Sequence, residues 1–353
     1  MTTTTEASET ASGTAAAPPD RMAILNRLVA RPEVGALLGA VAVFVFFTVI
    51  TTKFLNPLGI STWLDDASTL GIMAVAVALL MIGGEFDLST GVMTASTALI
   101  TGLLAVHAGW NVWFALAVSL AFALAVGALN GWVVMRTGLP SFIVTLGTFL
   151  ALQGLNLGVT RWATGTVQVS GMRSADGYQS AGWVFASTTK IGNASIQASV
   201  VWWIAVTAVA AIVLARTRFG NWIFAVGGSL PTARAVGVPA TRTKILLFMT
   251  TAFAGWIVGA CNLLRFASVQ ANQGVGLEFQ YIIAAVIGGC LLTGGFGSVV
   301  GAALGALIFG MARQGIVLAG WNSDWFMLFL GLLLFSAVLV NNAFKKRAER
   351  VRR

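Results

Sequence analysis

Catalysis needs a convergent set of titratable or nucleophilic groups, and this chain supplies few. Its one histidine, His107, stands near Trp110. No Ser/His/Asp set can be built around so isolated a residue, and it reads as an interfacial histidine beside an aromatic belt. Cys261 and Cys290 lie in apolar runs. They read as small buried residues, and no cluster of His, Cys and acids has metal-ligand spacing. No Gly-x-x-x-x-Gly-Lys-Ser/Thr stretch occurs, so the chain does not cradle nucleotide phosphates with a P-loop. What remains is a handful of polar side chains inside apolar sequence. Glu85 and Asp87 occur in Gly83-Gly84-Glu85-Phe86-Asp87-Leu88-Ser89. A charge deep in a bilayer costs about 2.5–3.5 kcal/mol on insertion scales, so both acids are expected at a helix break or facing water. Asp87 and Ser89 could cap the helix that follows, and the turn could be structural or gating. Gln153 and Asn156 share one helix face at i and i+3, while Asn262 and Gln270 flank the outer end of another apolar run. Neutral amides can bind hydroxyl groups without burying charge. They can equally bond neighbouring helices, for about 0.6 kcal/mol each.

The elements that must position these residues are dictated by lipid. The 353 residues are 57% hydrophobic and 9% charged, against about 25% charge in a soluble domain. A deficit this large over the whole chain means a membrane, and the 40 glycines suit close helix packing in it. Ten spans of an all-α polytopic membrane protein are expected: Val34–Thr52, Ala67–Gly84, Ser89–Val106, Val112–Met135, Ser141–Thr160, Ser199–Ala215, Lys244–Leu264, Tyr281–Leu292, Ser298–Gln314 and Trp325–Asn342. The eighth is short enough to be a half-helix or re-entrant segment. With both termini placed in the cytoplasm, fifteen of the 21 Lys and Arg residues fall inside and six outside. The net charge of +9 therefore reflects topology, and no nucleic-acid partner is expected.

Three units follow. Residues 1–33 form a disordered cytoplasmic tail without the pattern of a signal peptide. Residues 34–342 form the transmembrane domain, and 343–353 a basic cytoplasmic tail. Within the domain, loop 161–198 is external and polar, and loop 216–243 is cytoplasmic and basic. Long loops in a tight protein usually have a function. A faint internal echo also exists: Ile82-Gly83-Gly84 before Leu88-Ser89, and Ile287-Gly288-Gly289 before Leu292-Thr293.

The cytoplasmic loop is the most informative stretch. It reads Val226-Gly227-Gly228-Ser229-Leu230-Pro231-Thr232-Ala233-Arg234-Ala235-Val236-Gly237-Val238. Ser229 can cap a helix, Pro231 suits its first turn and Gly237 its end. The result is a helix of about two turns over Pro231–Val238, with Ala233 and Ala235 exposed for docking.

This run resembles the coupling segment of ribose/xylose-type ABC sugar permeases, Gly-Gly-Asn-Pro-Glu-Ala-Ala-Arg-x-x-Gly-Ile. Gly227, Gly228, Ala233, Arg234 and Gly237 match, and Pro231 stands where that pattern has Glu. Three other stretches are similar to motifs of the same family: Gly83-Gly84 with Asp87-Leu88-Ser89 and Gly91; Pro140-Ser141-Phe142-Ile143 with Thr145-Leu146-Gly147-Thr148; and Gly288-Gly289 with Gly294-Gly295 and Gly297-Ser298. The resemblance implies an ABC importer permease fold of about ten helices and a homodimer in the bacterial inner membrane. It also implies an external sugar-binding protein and a separate ATPase with two nucleotide-binding domains that binds ATP and Mg. Coupling would fall to Gly227, Gly228, Pro231, Ala233, Arg234, Ala235 and Gly237. The chain itself would be no enzyme and hold no cofactor. Related permeases for branched-chain amino acids or nucleosides share the plan. A stand-alone secondary transporter is the reading of a different class; it would need acids or broken helices near the midplane, and the acids here are expected near span ends.

Overall fold

The structure, a computed structural model, describes the backbone of residues 32–351 and the side chains of 33–339. The expected N-terminal tail up to Arg31 lies outside the described residues, as do Arg352 and Arg353. Thirteen α-helices, one 3-10 turn (Met172–Ser174) and four short strands are described. They are α1 (Pro32–Ile50), α2 (Pro57–Ile82), α3 (Thr90–Gly102, extended by a π turn over Leu103–His107), α4 (Val112–Thr137), α5 (Ser141–Thr164), β1 (Gln168–Ser170), α6 (Tyr178–Phe185), β2 (Thr188–Ile191), β3 (Ala194–Gln197), α7 (Ala198–Arg216), α8 (Arg218–Gly228), α9 (Leu230–Ala235), α10 (Ala240–Phe266), β4 (Ser268–Gln270), α11 (Leu277–Ile287), α12 (Val299–Leu318) and α13 (Trp325–Val351).

Among the described residues, eight helices are long and apolar enough to cross a membrane: α1, α2, α3 with its π turn, α4, α5, α7, α10 and α12. The shorter α11 and the Trp325–Leu339 part of α13 complete the ten apolar segments. The fold is thus all-α and polytopic. At 11 residues, α11 is about 16 Å long, half a bilayer, as its length in sequence suggested.

The second span starts ten residues before its expected boundary at Ala67, at Pro57, a favoured first helical position. Asp65 and Asp66 therefore lie inside α2. They are tolerated because they are paired: Arg265 of α10 donates to Asp65 at 2.5 Å, and Gln314 and Arg313 of α12 approach Asp66.

Helix α2 is the hub. It packs against α7, α10, α11 and α12, and its residues from Leu70 to Ile82 are buried throughout. By contrast, α1, α4 and α5 each present large apolar side chains such as Val49, Phe114 and Leu150 on the outer surface, as suits helices that border lipid. Loop 161–198 carries structure of its own. β1 pairs antiparallel with β4, placing Gln168 opposite Gln270, and β2 and β3 form a hairpin. Tyr178 of α6 donates a hydrogen bond to the Leu264 carbonyl at 2.8 Å, tying the loop to α10.

Candidate functional site

The site is assembled where two helices break. Helix α2 ends when the N–H groups of Gly83, Gly84 and Glu85 donate back to the carbonyls of Leu79, Met81 and Leu80, with Gly84 in the left-handed region at φ 81°. The chain then runs irregularly through Glu85–Ser89 before restarting as α3. Both acids of this turn are buried, Glu85 with 9% and Asp87 with 3% of its surface exposed. The expected helix break is present, but neither acid faces water. Burial is tolerated because each carboxylate is partnered. Lys244 of α10, itself buried, donates to Glu85 Oε1. Asp87 accepts from Ser89 N–H (2.9 Å), Ser89 Oγ (2.6 Å) and Thr251 Oγ1 (2.7 Å).

Ser89 stands at the N-cap position of α3, yet no side chain caps that helix. The capping expectation is corrected: the serine hydroxyl is taken by the buried carboxylate, which needs donors more.

Depth follows from helix geometry. Thr251 lies seven residues beyond Lys244, about 10 Å along α10. The turn therefore climbs from Glu85, at the end of α10 that carries the loop, to Asp87 well inside the bundle. Both acids lie between the end of α2 and the start of α3, as expected, with Asp87 set deeper along α10 than Glu85.

Helix α5 holds the turn from another side. Ser141 accepts from Phe86 N–H at 3.0 Å, and Thr145 accepts from Leu88 N–H at 3.1 Å. One turn further, Thr148 donates to Asn130 of α4 at 2.6 Å, and Asn130 donates to Ser89 at 3.2 Å. Positions i, i+4 and i+7 fall on one helix face, so one stripe of α5 satisfies two backbone N–H groups of the turn through Ser141 and Thr145 and positions Asn130 through Thr148.

The second break repeats the first. The N–H groups of Gly288, Gly289 and Cys290 donate to Ala284, Val286 and Ala285, the same offsets as in the first turn, and Gly289 takes φ 93°. The chain restarts as α12 with Ser298 Oγ accepting from Gly301 N–H at 3.2 Å. The faint sequence echo is thus a repeated cap. The two turns also touch: Gly295 N–H donates to Ile82 O at 2.8 Å. At this crossing lies Gly227, the penultimate residue of α8. A Cβ there would overlap Ile82 O and stand 2.8 Å from Gly295 N. Four stretches remote in sequence therefore form one cluster.

From the cluster α9 projects. Ser229 accepts from Thr232 N–H at 3.4 Å, and a proline lies in the first turn. Gly237 follows at φ 80°. The helix spans six residues, Leu230–Ala235, shorter than the expected Pro231–Val238. One expectation is reversed: Ala233 is 2% exposed, packed with Val226 and Ala240. Ala235 is exposed as expected. The outward face is Pro231, Thr232, Arg234, Ala235, Val236 and Gly237, with Val236 72% exposed, while Gly227 is turned toward the two breaks and Gly228 is exposed.

The four amides do not form one constellation. Asn156 is buried with Nδ2 lacking a partner, and Gln153 is half-buried on the same helix, which packs on α3 and α4. Asn262, on α10, lines a cavity of about 60 Å³ with Asp66, Gln280 and Arg313. Gln270 is exposed on β4. Lys244, Thr251 and Asn130 were missed by sequence reasoning. A lysine opening an apolar run is the one signal the sequence carries for them.

No solved structure matches the chain. A family described as "Branched-chain amino acid transport system / permease component" matches residues 59–338. The xylose transport system permease protein of Escherichia coli (strain K12) is 30% identical over 357 residues, covering 87% of this chain and 91% of that protein. The ribose import permease protein of the same strain is 30% identical over 306 residues, covering 86% and 92%. With the motif stretches gathered into one cluster and the likeness running through nearly all of both relatives, the chain belongs to this family of ABC transport-system permease components.

Proposed function

We propose that this chain is the membrane-spanning subunit of an ATP-driven importer, forming the path for a monosaccharide or related polyol that an external binding protein delivers. The observation that carries this reading is α9. It is a short capped helix whose outward face is exposed, and its root is packed on α8 and α10, next to Gly227 at the crossing of the two breaks. Such a helix suits an ATPase cleft, and the chain has no P-loop of its own. A second copy of the chain would complete the path, and both termini would be cytoplasmic. The sugar class rests on the names of the xylose and ribose relatives.

The test is reconstitution with a co-expressed ATPase subunit and binding protein in vesicles. Uptake of D-xylose or D-ribose should require ATP, and the purified chain alone should hydrolyse none. Hydrolysis by the isolated chain would sink this reading. The family description favours one further cargo, so leucine belongs in the same assay; uptake of leucine and of neither sugar would replace the sugar reading. Because Asp87 is buried in the first break and Glu278 is buried in the first turn of the short helix α11, uptake driven by an ion gradient without ATP would point to a secondary transporter.

A further inference from the structure

Two helices of this bundle are broken, and the loop that carries α9 returns to the membrane as α10. How a push on α9 would reach the broken segments is therefore a question of which rigid contacts connect them. The root of α9 is packed apolar: Ala233 is wedged against Val226 and against Ala240, the first residue of α10. One turn further along α10 is Lys244, which is buried and whose ammonium reaches Glu85 in the first turn, 159 residues away in sequence. Neither charge has another ion-pair partner among the described residues. From Glu85 the chain continues through Phe86 to Asp87, which holds Thr251, again on α10. Helix α10 thus grips the α2–α3 turn at two points about 10 Å apart, one ionic and one a hydrogen bond.

We propose that the Lys244–Glu85 pair is a mechanical link that makes the α2–α3 turn follow the base of α10 when α9 is displaced, so that Lys244 and Glu85 are positioning residues for transport. This rests on the importer reading above. A buried charge pair suits the task because sliding the two groups apart would leave an uncompensated charge in a low-dielectric interior. The two elements have no cheap intermediate separation and must move together. The apolar contacts nearby lack this property, since dispersion contacts can be exchanged for others at small cost.

The test uses E85Q, K244M and the exchanged pair E85K/K244E, each assembled with the ATPase subunit and binding protein in vesicles. D-Xylose and D-ribose are the probes, and sugar imported per ATP hydrolysed is the readout. E85Q and K244M should assemble with the ATPase and hydrolyse ATP within about twofold of the parental rate, while uptake falls about tenfold. The exchanged pair should recover uptake to within about threefold of the parental value. Parental sugar-to-ATP ratios in both single variants would overturn the link. So would loss of assembly and uptake together, which would make the pair a scaffold. Uncoupling that the exchange leaves uncorrected would assign the effect to the separate charges and overturn the pair as well. Failure of the cargo reading shows differently. If the parental complex hydrolyses ATP and imports neither sugar, the link is read from stimulation of hydrolysis by the binding protein. That stimulation should fall about tenfold in E85Q if the pair transmits, and stay unchanged if it does not.

Discussion

Gly227 and Gly228 are adjacent at the end of α8, yet one methyl group should act in opposite senses on them. At Gly227 an added Cβ overlaps the carbonyl oxygen of Ile82 and lies 2.8 Å from Gly295 N, the two atoms that hydrogen-bond the breaks together at 2.8 Å. Both obstructions are backbone, so no side chain can swing away. Overpacking of this kind costs about 1–3 kcal/mol, and prising apart a buried hydrogen bond adds about 1–3 kcal/mol. Gly227→Ala should therefore destabilise by about 2–6 kcal/mol. At Gly228 nothing lies within 4 Å of the new methyl, and alanine is favoured over glycine in a helix by up to about 1 kcal/mol. Gly228→Ala should be neutral or slightly stabilising. The assay is the temperature at which each purified variant loses its monodisperse chromatographic peak in detergent. This measures resistance to unfolding without requiring reversibility. Gly227→Ala should fail several degrees below the parental protein and Gly228→Ala at or above it. Equal behaviour of the two variants would refute the crossing of the two breaks at Gly227.

The buried and outward faces of α9 should also separate by substitution. Ala233→Trp must force an indole between Val226 and Ala240 and should lower stability by about 1–3 kcal/mol or more. Val236→Trp, on a 72% exposed position, should leave the melting temperature unchanged while abolishing pull-down of the ATPase subunit; retention of binding at parental strength would place the contact elsewhere. Reporter fusions after Arg353 should be active only where cytoplasmic reporters are, and activity of a periplasmic reporter there would reverse the topology.

What the sequence determined is what lipid and local backbone chemistry impose on each segment separately. A run of some twenty apolar residues is committed to crossing a bilayer whatever its neighbours do, so the long spans could be placed from hydropathy. The half-length α11 could be suspected for the same reason. The cap of α9 was equally legible, because Ser229, a proline and Gly237 each act on backbone groups within three or four residues of themselves. Tertiary structure decided everything that depends on a partner far along the chain. Asp65 and Asp66 looked like the end of a span until Arg265 and Gln314, 200 and 248 residues away, were found to meet them. The alanine expected to face a partner, Ala233, turned inward, since a six-residue helix can be rotated by one hydrophobic contact and its composition does not say which side is covered. That Lys244 meets Glu85, and that both breaks cross at Gly227, cannot be read from the residues beside them. A charge in a bundle of helices is stable only when its counter-charge arrives at the same depth, and that depth is fixed by how the helices pack.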